Sequence, residues 1–197
     1  HPHKSPAVYV KFPVSDVSTL KKLGNPTKKT SFVIWTTTPW TLPANLGIAL
    51  NETFDYALFD TGADLILLAK PLKEFVEKDT GLSLQDTGFV IKGKELEFGK
   101  ARHPFYERDS LVVLGDHVTG DAGTGAVHTA PGHGADDYKV GLRYGMEILS
   151  PVDQAGKYTD EVPEYLGVNI FKANPLIIER LKEIGALLGH KEIEHSY

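Results

Sequence analysis

Short apolar segments dominate roughly the first 130 positions of the chain, either alternating with polar residues or in runs of four to eight. Gly, Pro, Asp or Asn bounds each segment, which is the pattern of β-strands separated by turns. The sequence therefore predicts strands at positions 7–14, 31–36, 54–60, 64–69, 89–91, 110–114 and 126–129.

Helical patterns are fewer. Pro71 fits the first turn of a helix over 72–78 that stops at Gly81, and a second helix over 136–144 is closed by Gly145. The clearest has Asn174 as its N-cap and Pro175 in its first turn. Its apolar face comprises Leu176, Ile177, Leu181, Ile184 and Leu188. Many strands with few helices predict an α+β domain with a β-barrel-like core and a few peripheral helices.

Composition narrows the chemistry. The 197 residues include no cysteine, which excludes disulfides, zinc–thiolate sites and a cysteine nucleophile. A net charge of -5 gives no broad basic field, so a nucleic-acid partner is expected to bind through a local patch or a short end. No apolar run approaches the roughly 20 residues that span a bilayer. We therefore expect a cytoplasmic protein without a membrane partner.

The ends of the chain suggest its origin. It opens with His1 and Pro2, and its single methionine is Met146. We expect one domain over residues 1–197, cut from a longer polypeptide, with the first few residues possible remnants of cloning.

The first stretch with chemical potential is W-T-T-T-P-W-T-L-P at positions 35–43. Its threonine hydroxyls follow a predicted strand, and Pro39 ends regular pairing because it lacks a backbone donor. Hydroxyls just beyond a strand end are placed to line a pocket. The alternative is an ordinary sheet surface, since threonine is a good strand former.

The second stretch is D-A-G-T-G-A-V-H-T-A-P-G-H-G-A-D-D-Y at positions 121–138. Its glycines permit close backbone approach to a ligand. Three interpretations remain open: zinc held by His128, His133 and Asp137; Asp136 and Asp137 complementing a helix N-terminus; or a small-molecule pocket in which one carboxylate binds a cation. Neither a serine-hydrolase elbow nor a dinucleotide or Walker fingerprint is present in the sequence.

Together the two stretches resemble the editing domain inserted in isoleucyl-tRNA synthetases, the connective-peptide insertion of that class I family. The motifs are T-T-T-P-W-T-L-P-A-N and, some eighty residues later, G-T-G-A-V-H-T-A-P-G-H-G-A-D-D-Y. The resemblance continues through P-V-D-Q-A-G-K-Y-T-D and A-N-P-L-I-I-E, so it covers nearly the whole chain. Thr38, Trp40 and His128 differ from the leucyl and valyl patterns. The H-I-G-H and K-M-S-K-S signatures of the synthetic site are absent from the sequence.

The resemblance implies a role for each motif residue. Asp137 would bind the α-ammonium of mischarged valine and support catalysis, and His128 would close the pocket against the extra methylene of isoleucine. Thr37, Thr38 and Thr41 would place the hydrolytic water. Thr36 and Trp40 would contribute to substrate binding, with Trp40 packed behind the threonines. His133 would shape the loop.

The function implied by the resemblance is post-transfer editing: hydrolysis of valyl-tRNA(Ile) by a positioned water, in a second sieve that excludes isoleucine. Neither cofactor nor metal is implied, and amino-acid activation with ATP would belong to the parent enzyme. The expected partners are the 3′ end of mischarged tRNA(Ile), its valine moiety and the rest of the synthetase, with the domain a monomer. Two alternatives stay open, a non-catalytic module that binds the tRNA acceptor end and a free-standing aminoacyl-tRNA deacylase.

Overall fold

The computed structural model describes the backbone of residues 2–196 and the side chains of residues 5–191. His1 and Tyr197, which the single-domain prediction includes, lie outside the described residues. In chain order the strands are β1 (Pro2–Pro13), β2 (Thr30–Thr36), β3 (Gly47–Leu50), β4 (Asp55–Asp60), β5 (Leu65–Ala69), β6 (Gln85–Lys92), β7 (Lys100–Arg102), β8 (Asp109–Leu114), β9 (Ala126–Thr129) and β10 (Leu187–Ser196).

The strands form two sheets. One has six strands in the order β10-β1-β2-β5-β4-β6, and the other has four in the order β7-β8-β3-β9. An isolated bridge between Val14 and Ala101 joins them on one side, and β2 lies beside β9 on the other. The mixed architecture with few helices is confirmed. Its barrel-like character comes from two open sheets that meet at their edges rather than from one continuous ladder.

The alternation of β2 explains how the sheets bury their faces. Phe32 and Ile34 point into the main core, where they join residues of the four-stranded sheet such as Ile48 and Val112. Val33 lies on the opposite face with a second cluster that includes Val76. Both faces of this central strand are buried, so period two alone does not mark one face as polar.

Within residues 2–196 there are four α-helices: α1 (Val17–Lys22), α2 (Lys73–Thr80), α3 (Ala135–Tyr144) and α4 (Ile170–Glu183). The helices α2 and α3 end as predicted, at Gly81 (φ 75°) and Gly145 (φ 67°), in the left-handed conformation that glycine adopts at lowest cost. Of the helices that the structure describes, none has both the length and the apolar character needed to cross a membrane.

The predicted start of the last helix is wrong. Helix α4 begins at Ile170, where the Asn169 side chain accepts a hydrogen bond from the Phe171 N–H at 2.9 Å. Pro175 therefore lies inside the helix, and Leu188 belongs to β10. Asn174 is not a cap because its side-chain oxygen accepts the Trp40 N–H at 3.0 Å instead. The sequence patterns also missed α1, β3, β7 and β10.

Candidate active site

The threonine stretch occupies the end of β2 and the turn that follows. Thr36 is the last residue of β2, and a 3-10 helix spans Pro39–Ala44. The Thr38 N–H donates to the Thr36 hydroxyl at 3.1 Å, and the Thr41 N–H donates to the Thr38 carbonyl at 2.9 Å. These bonds replace the ladder that Pro39 interrupts, so the chain turns sharply and presents its hydroxyls on one side.

The hydroxyls form a connected row. The Oγ1 atoms of Thr36 and Thr38 are 3.3 Å apart, and those of Thr38 and Thr41 are 3.4 Å apart. Thr36 and Thr41 are buried, Thr37 is half-buried and Thr38 is exposed. The row is thus buried at its two ends, Thr36 and Thr41, and reaches solvent at Thr38 in its middle.

His128 lies on β9 and contacts the Thr41 end of that row. Its Nε2 is 2.7 Å from Thr41 Oγ1, and its Nδ1 is 2.6 Å from the Asn45 side-chain nitrogen. Burial, and to a smaller extent the nearby His133 ring, lower the pKa of His128 to about 3. The imidazole is therefore neutral near pH 7 and serves as a hydrogen-bonding wall rather than a cation.

Asp137 lies in the first turn of α3, after the N-cap residue Gly134. One of its carboxylate oxygens accepts the Ala130 N–H at 2.9 Å. Burial raises the pKa of Asp137, while the hydrogen bond from Ala130 opposes the rise. Its neighbour Asp136 is exposed. Both acids lie where a helix N-terminus favours negative charge, and Asp137 alone of the two is half-buried.

Trp40 is fixed from three sides. Its N–H donates to Asn174, its carbonyl accepts the Tyr158 hydroxyl, and its ring packs edge-on against His133 with centroids 5.0 Å apart. Burial lowers the pKa of His133, and the charge of Asp137 partly restores it. Trp40 thus lies outside the cavity lining and contacts the ring of His133, which does line it.

A cavity of about 350 Å³ brings the predicted residues together. Thr36, Thr37, Thr38, Thr41, His128 and Asp137 all line it, with Trp35, Val127, His133 and Gly134 as further neighbours. Trp40 is the one predicted site residue outside this lining. Sequence reasoning gave no role to Asn45, which contacts His128, or to Ser110, which donates to Asn45 at 2.7 Å. The only feature of the sequence that could have indicated Asn45 is its position at the end of the T-L-P-A-N motif, and no motif includes Ser110.

The zinc alternative does not fit this geometry. Thr41 and Asn45 already engage both ring nitrogens of His128, which leaves the ring no lone pair for a metal without breaking a buried hydrogen bond. Across the part of the chain that the structure describes, no three His, Cys, Asp or Glu residues are grouped to hold a metal ion.

Comparison with known proteins gives the family. No family model matches the chain. The isoleucine–tRNA ligase of Caldanaerobacter subterraneus subsp. tengcongensis is 52% identical over 194 residues, and that of Thermoanaerobacter sp. (strain X514) is 50% identical over the same length. Each alignment covers 98% of this chain. The chain is homologous to one segment of isoleucine–tRNA ligases. It spans 21% of the length of these curated relatives.

Solved structures agree on the fold of this ligase segment. A structure described as GlLeuRS-CP1 matches with a TM-score of 0.70 at 13% identity, covering 92% of this chain and 97% of that one. The cytosolic leucyl-tRNA synthetase editing domain of P. knowlesi also gives 0.70, at 14% identity, covering 100% and 98%. The isoleucine–tRNA ligase segment thus has the fold of a synthetase editing domain, and the resemblance found in its sequence is confirmed.

Proposed function

We propose that this chain is a single editing domain of a longer synthetase and hydrolyses the ester of valyl-tRNA(Ile). The observation that carries the proposal is the shared cavity of about 350 Å³, which is lined by the threonine hydroxyls, His128 and Asp137. A cavity of this size lies within the usual range for small-molecule sites. The relatives named above are ligases for isoleucine, which makes valine the natural error to correct.

The need for such a site follows from the small difference between the two amino acids. One buried methylene contributes about 0.8 kcal/mol, so a pocket shaped for isoleucine admits valine. Isoleucyl-tRNA synthetases are the standard example of this problem, and a second sieve that excludes the larger amino acid is its general solution. Short, stiff threonine side chains beside a buried imidazole suit a wall that rejects one extra methylene.

Asp137 is the proposed anchor for the α-ammonium of valine. Its carboxylate lines the cavity, and Ala130 fixes one of its oxygens. A carboxylate accepts about four hydrogen bonds, so capacity is left for an ammonium group. Burial partly desolvates the carboxylate of Asp137 and raises its pKa. A nearby cation would therefore stabilise its charged form more than it would stabilise a fully solvated carboxylate.

The threonine hydroxyls are proposed to position water for attack on the ester. An aminoacyl ester is already activated, so orientation and electrostatic stabilisation are sufficient without a covalent intermediate. Thr38 is the exposed middle member of the hydroxyl row, and it is the most solvent-accessible of the three proposed catalytic threonines. The free ribose hydroxyl of the terminal adenosine would assist.

The proposed partners follow from charge and family. A chain of charge -5 is expected to bind tRNA weakly by itself, because the parent synthetase delivers the 3′ end and supplies most phosphate contacts. We propose that the domain is a monomer and works in the cytoplasm as part of that enzyme.

The test is turnover of mischarged tRNA by the 197-residue chain. Valyl-tRNA(Ile) and isoleucyl-tRNA(Ile) labelled in the amino acid are incubated with the chain, and release of each amino acid is followed against spontaneous hydrolysis. We expect valine to be released faster than isoleucine. Saturable binding of valyl-tRNA with the ester left intact would overturn hydrolysis in favour of an acceptor-end binding module.

A further inference from the structure

Asn45 holds a fixed orientation because one of its neighbours accepts hydrogen bonds only. One side-chain atom of Asn45 is 3.0 Å from the backbone carbonyl of Gly47, and a carbonyl oxygen has no proton to donate. That atom must therefore be the amide nitrogen. The other side-chain atom, Oδ1, accepts the buried Ser110 hydroxyl at 2.7 Å, so both ends of the amide are satisfied.

The orientation of Asn45 decides where the proton of His128 lies. The same amide nitrogen is 2.6 Å from His128 Nδ1, so it presents an N–H group to that ring nitrogen. Nδ1 must accept, because a proton there would face a second donor. A neutral imidazole carries one ring proton, which is therefore on Nε2.

The hydrogen bonds on the Thr41 side of His128 also fit a proton on Nε2. Nε2–H donates to the Thr41 hydroxyl at 2.7 Å, and that hydroxyl donates its single proton to the Thr38 carbonyl at 2.8 Å. Carbonyl groups that accept only, those of Gly47 and Thr38, thus terminate the network at both ends. One arrangement of protons satisfies all four contacts.

We propose that Asn45 is a positioning residue that locks His128 as the neutral Nε2–H tautomer and thereby makes the Thr41 hydroxyl an acceptor towards the cavity. The tautomer is a property of the unliganded chain. Its consequence for catalysis rests on the proposed function.

That consequence is specific. Neither His128 nor Thr41 removes a proton from the attacking water, because Nδ1 faces Asn45, Nε2 carries a proton and Thr41 donates to a backbone carbonyl. A ligand group that meets Thr41 must be a donor, such as a water, a ribose hydroxyl or an ammonium. Protonation of His128 would set Nδ1–H against the Asn45 amide, which opposes a charged ring in addition to the effect of burial.

The tautomer is measured directly by long-range proton–nitrogen NMR on the ¹⁵N-labelled chain, which distinguishes the two ring nitrogens of each of its 8 histidines. A His128→Gln variant identifies the His128 resonances by their loss. We expect the Nε2–H pattern for His128 in the wild-type chain between pH 6 and 8, a range chosen around the ordinary histidine pKa of about 6.5. An Nδ1–H pattern would overturn the proposal without need of any variant.

Asn45→Asp is the decisive variant, because it replaces the donor with a group of equal size that accepts only. We expect the proton of His128 to move to Nδ1 and its pKa to rise, because an ionised carboxylate at hydrogen-bond distance favours the charged ring. Ser110→Ala is the matched control, because it removes a hydrogen bond to the same amide and leaves the N–H that faces His128. That variant should keep the Nε2–H pattern. A folded Asn45→Asp chain that keeps it as well would refute the role of Asn45.

Different results would refute the hydrolysis proposal and the tautomer proposal. A wild-type chain with the Nε2–H pattern that releases no valine would overturn the hydrolysis proposal and support the tautomer. A chain that releases valine while His128 is in the Nδ1–H form would do the reverse. With both supported, Asn45→Asp should introduce a pH step in hydrolysis that the wild type lacks, while Ser110→Ala should not.

Discussion

The two walls of the cavity differ in how tightly the protein holds them. The threonine–histidine wall, made of Thr36, Thr38, Thr41 and His128, is tied together by successive hydrogen bonds, and His128 and Thr41 are 7% and 6% exposed. The carboxylate wall, made of His133, Gly134 and Asp137, lies at a glycine-rich turn and the start of α3. There Gly134 is exposed and Asp137 is half-buried with one anchoring hydrogen bond from Ala130.

This difference suggests that one wall recognises the shape of the substrate and the other recognises its charge. A neutral, densely bonded wall resists deformation, which suits exclusion of an extra methylene by overlap. A half-buried carboxylate with spare acceptor capacity suits recognition of a cation at modest desolvation cost. Under the proposed function, changes to the carboxylate wall should affect all substrates, and changes to the threonine–histidine wall should affect the choice between substrates.

The largest expected effect is on the carboxylate wall. Asp137→Asn keeps the size of the side chain and an oxygen for the Ala130 N–H but removes the charge. We expect loss of valyl-tRNA hydrolysis by more than about a hundredfold, because a desolvated ammonium without its counter-charge costs several kcal/mol. Asp136→Asn is the matched control, since that residue is exposed, and it should retain activity. Near wild-type hydrolysis by a folded Asp137→Asn chain would remove the charge from the mechanism.

The next effect is on selectivity. His128→Ala should open space for the extra methylene, so the preference for valyl- over isoleucyl-tRNA should fall by roughly tenfold to a hundredfold, which corresponds to about 1–3 kcal/mol of relieved overlap. The variant should also be less stable, because Asn45 and Thr41 lose their shared partner. The measurement is the ratio of the two hydrolysis rates.

His133→Ala is the control for that ratio, because it removes a second imidazole that lines the same cavity from the opposite wall. It should leave the ratio unchanged. An equal ratio for wild type and a folded His128→Ala chain would assign the sieve to Thr37 and Thr41 instead.

A smaller effect is expected on the pH dependence of stability. The pKa of His128 is about 3 in the folded chain against an ordinary 6.5, so the unfolded chain binds more protons between these values. The stabilisation is therefore complete above about pH 6.5 and is lost as the pH falls towards 3. His103, whose burial lowers its pKa to about 3, acts in the same direction. Asp137 acts oppositely, because its pKa is raised by burial and the folded chain binds its proton more readily.

Denaturant unfolding at several pH values tests this assignment. The free energy of unfolding should decrease with falling pH over that window, and His128→Gln should flatten the decrease because it removes one of the two histidines that are buried among residues 5–191. An identical slope in the variant would show that His128 does not carry this dependence.

Sequence patterns found the parts of the site that lie within one motif. The threonine row and the Asp137 turn each lie within one continuous segment; proline marks the first, and glycine, proline and acidic residues mark the second. The contacts that bring the two segments together join residues that are far apart in the sequence. His128 contacts Asn45 because Ile48 of β3 lies opposite His128 in the ladder, and β3 is a four-residue strand, G-I-A-L, too short for a reliable periodicity. Asn174 gave a false helix start because its distant partner, Trp40, was not visible from local sequence.

Metal removal is expected to have no effect. The experiment tests whether the threonine–histidine wall and the carboxylate wall act independently on the substrate. A metal held by His128, His133 and Asp137 would bridge them and make shape and charge a single property. We expect exhaustive chelation to change neither the unfolding transition nor valyl-tRNA hydrolysis, because Thr41 and Asn45 engage both ring nitrogens of His128. Addition of zinc to the chelated chain should likewise change neither. Loss of activity with EDTA and its recovery with zinc would require His128 to break a buried hydrogen bond on metal binding, and would replace the two-wall description with a metal centre.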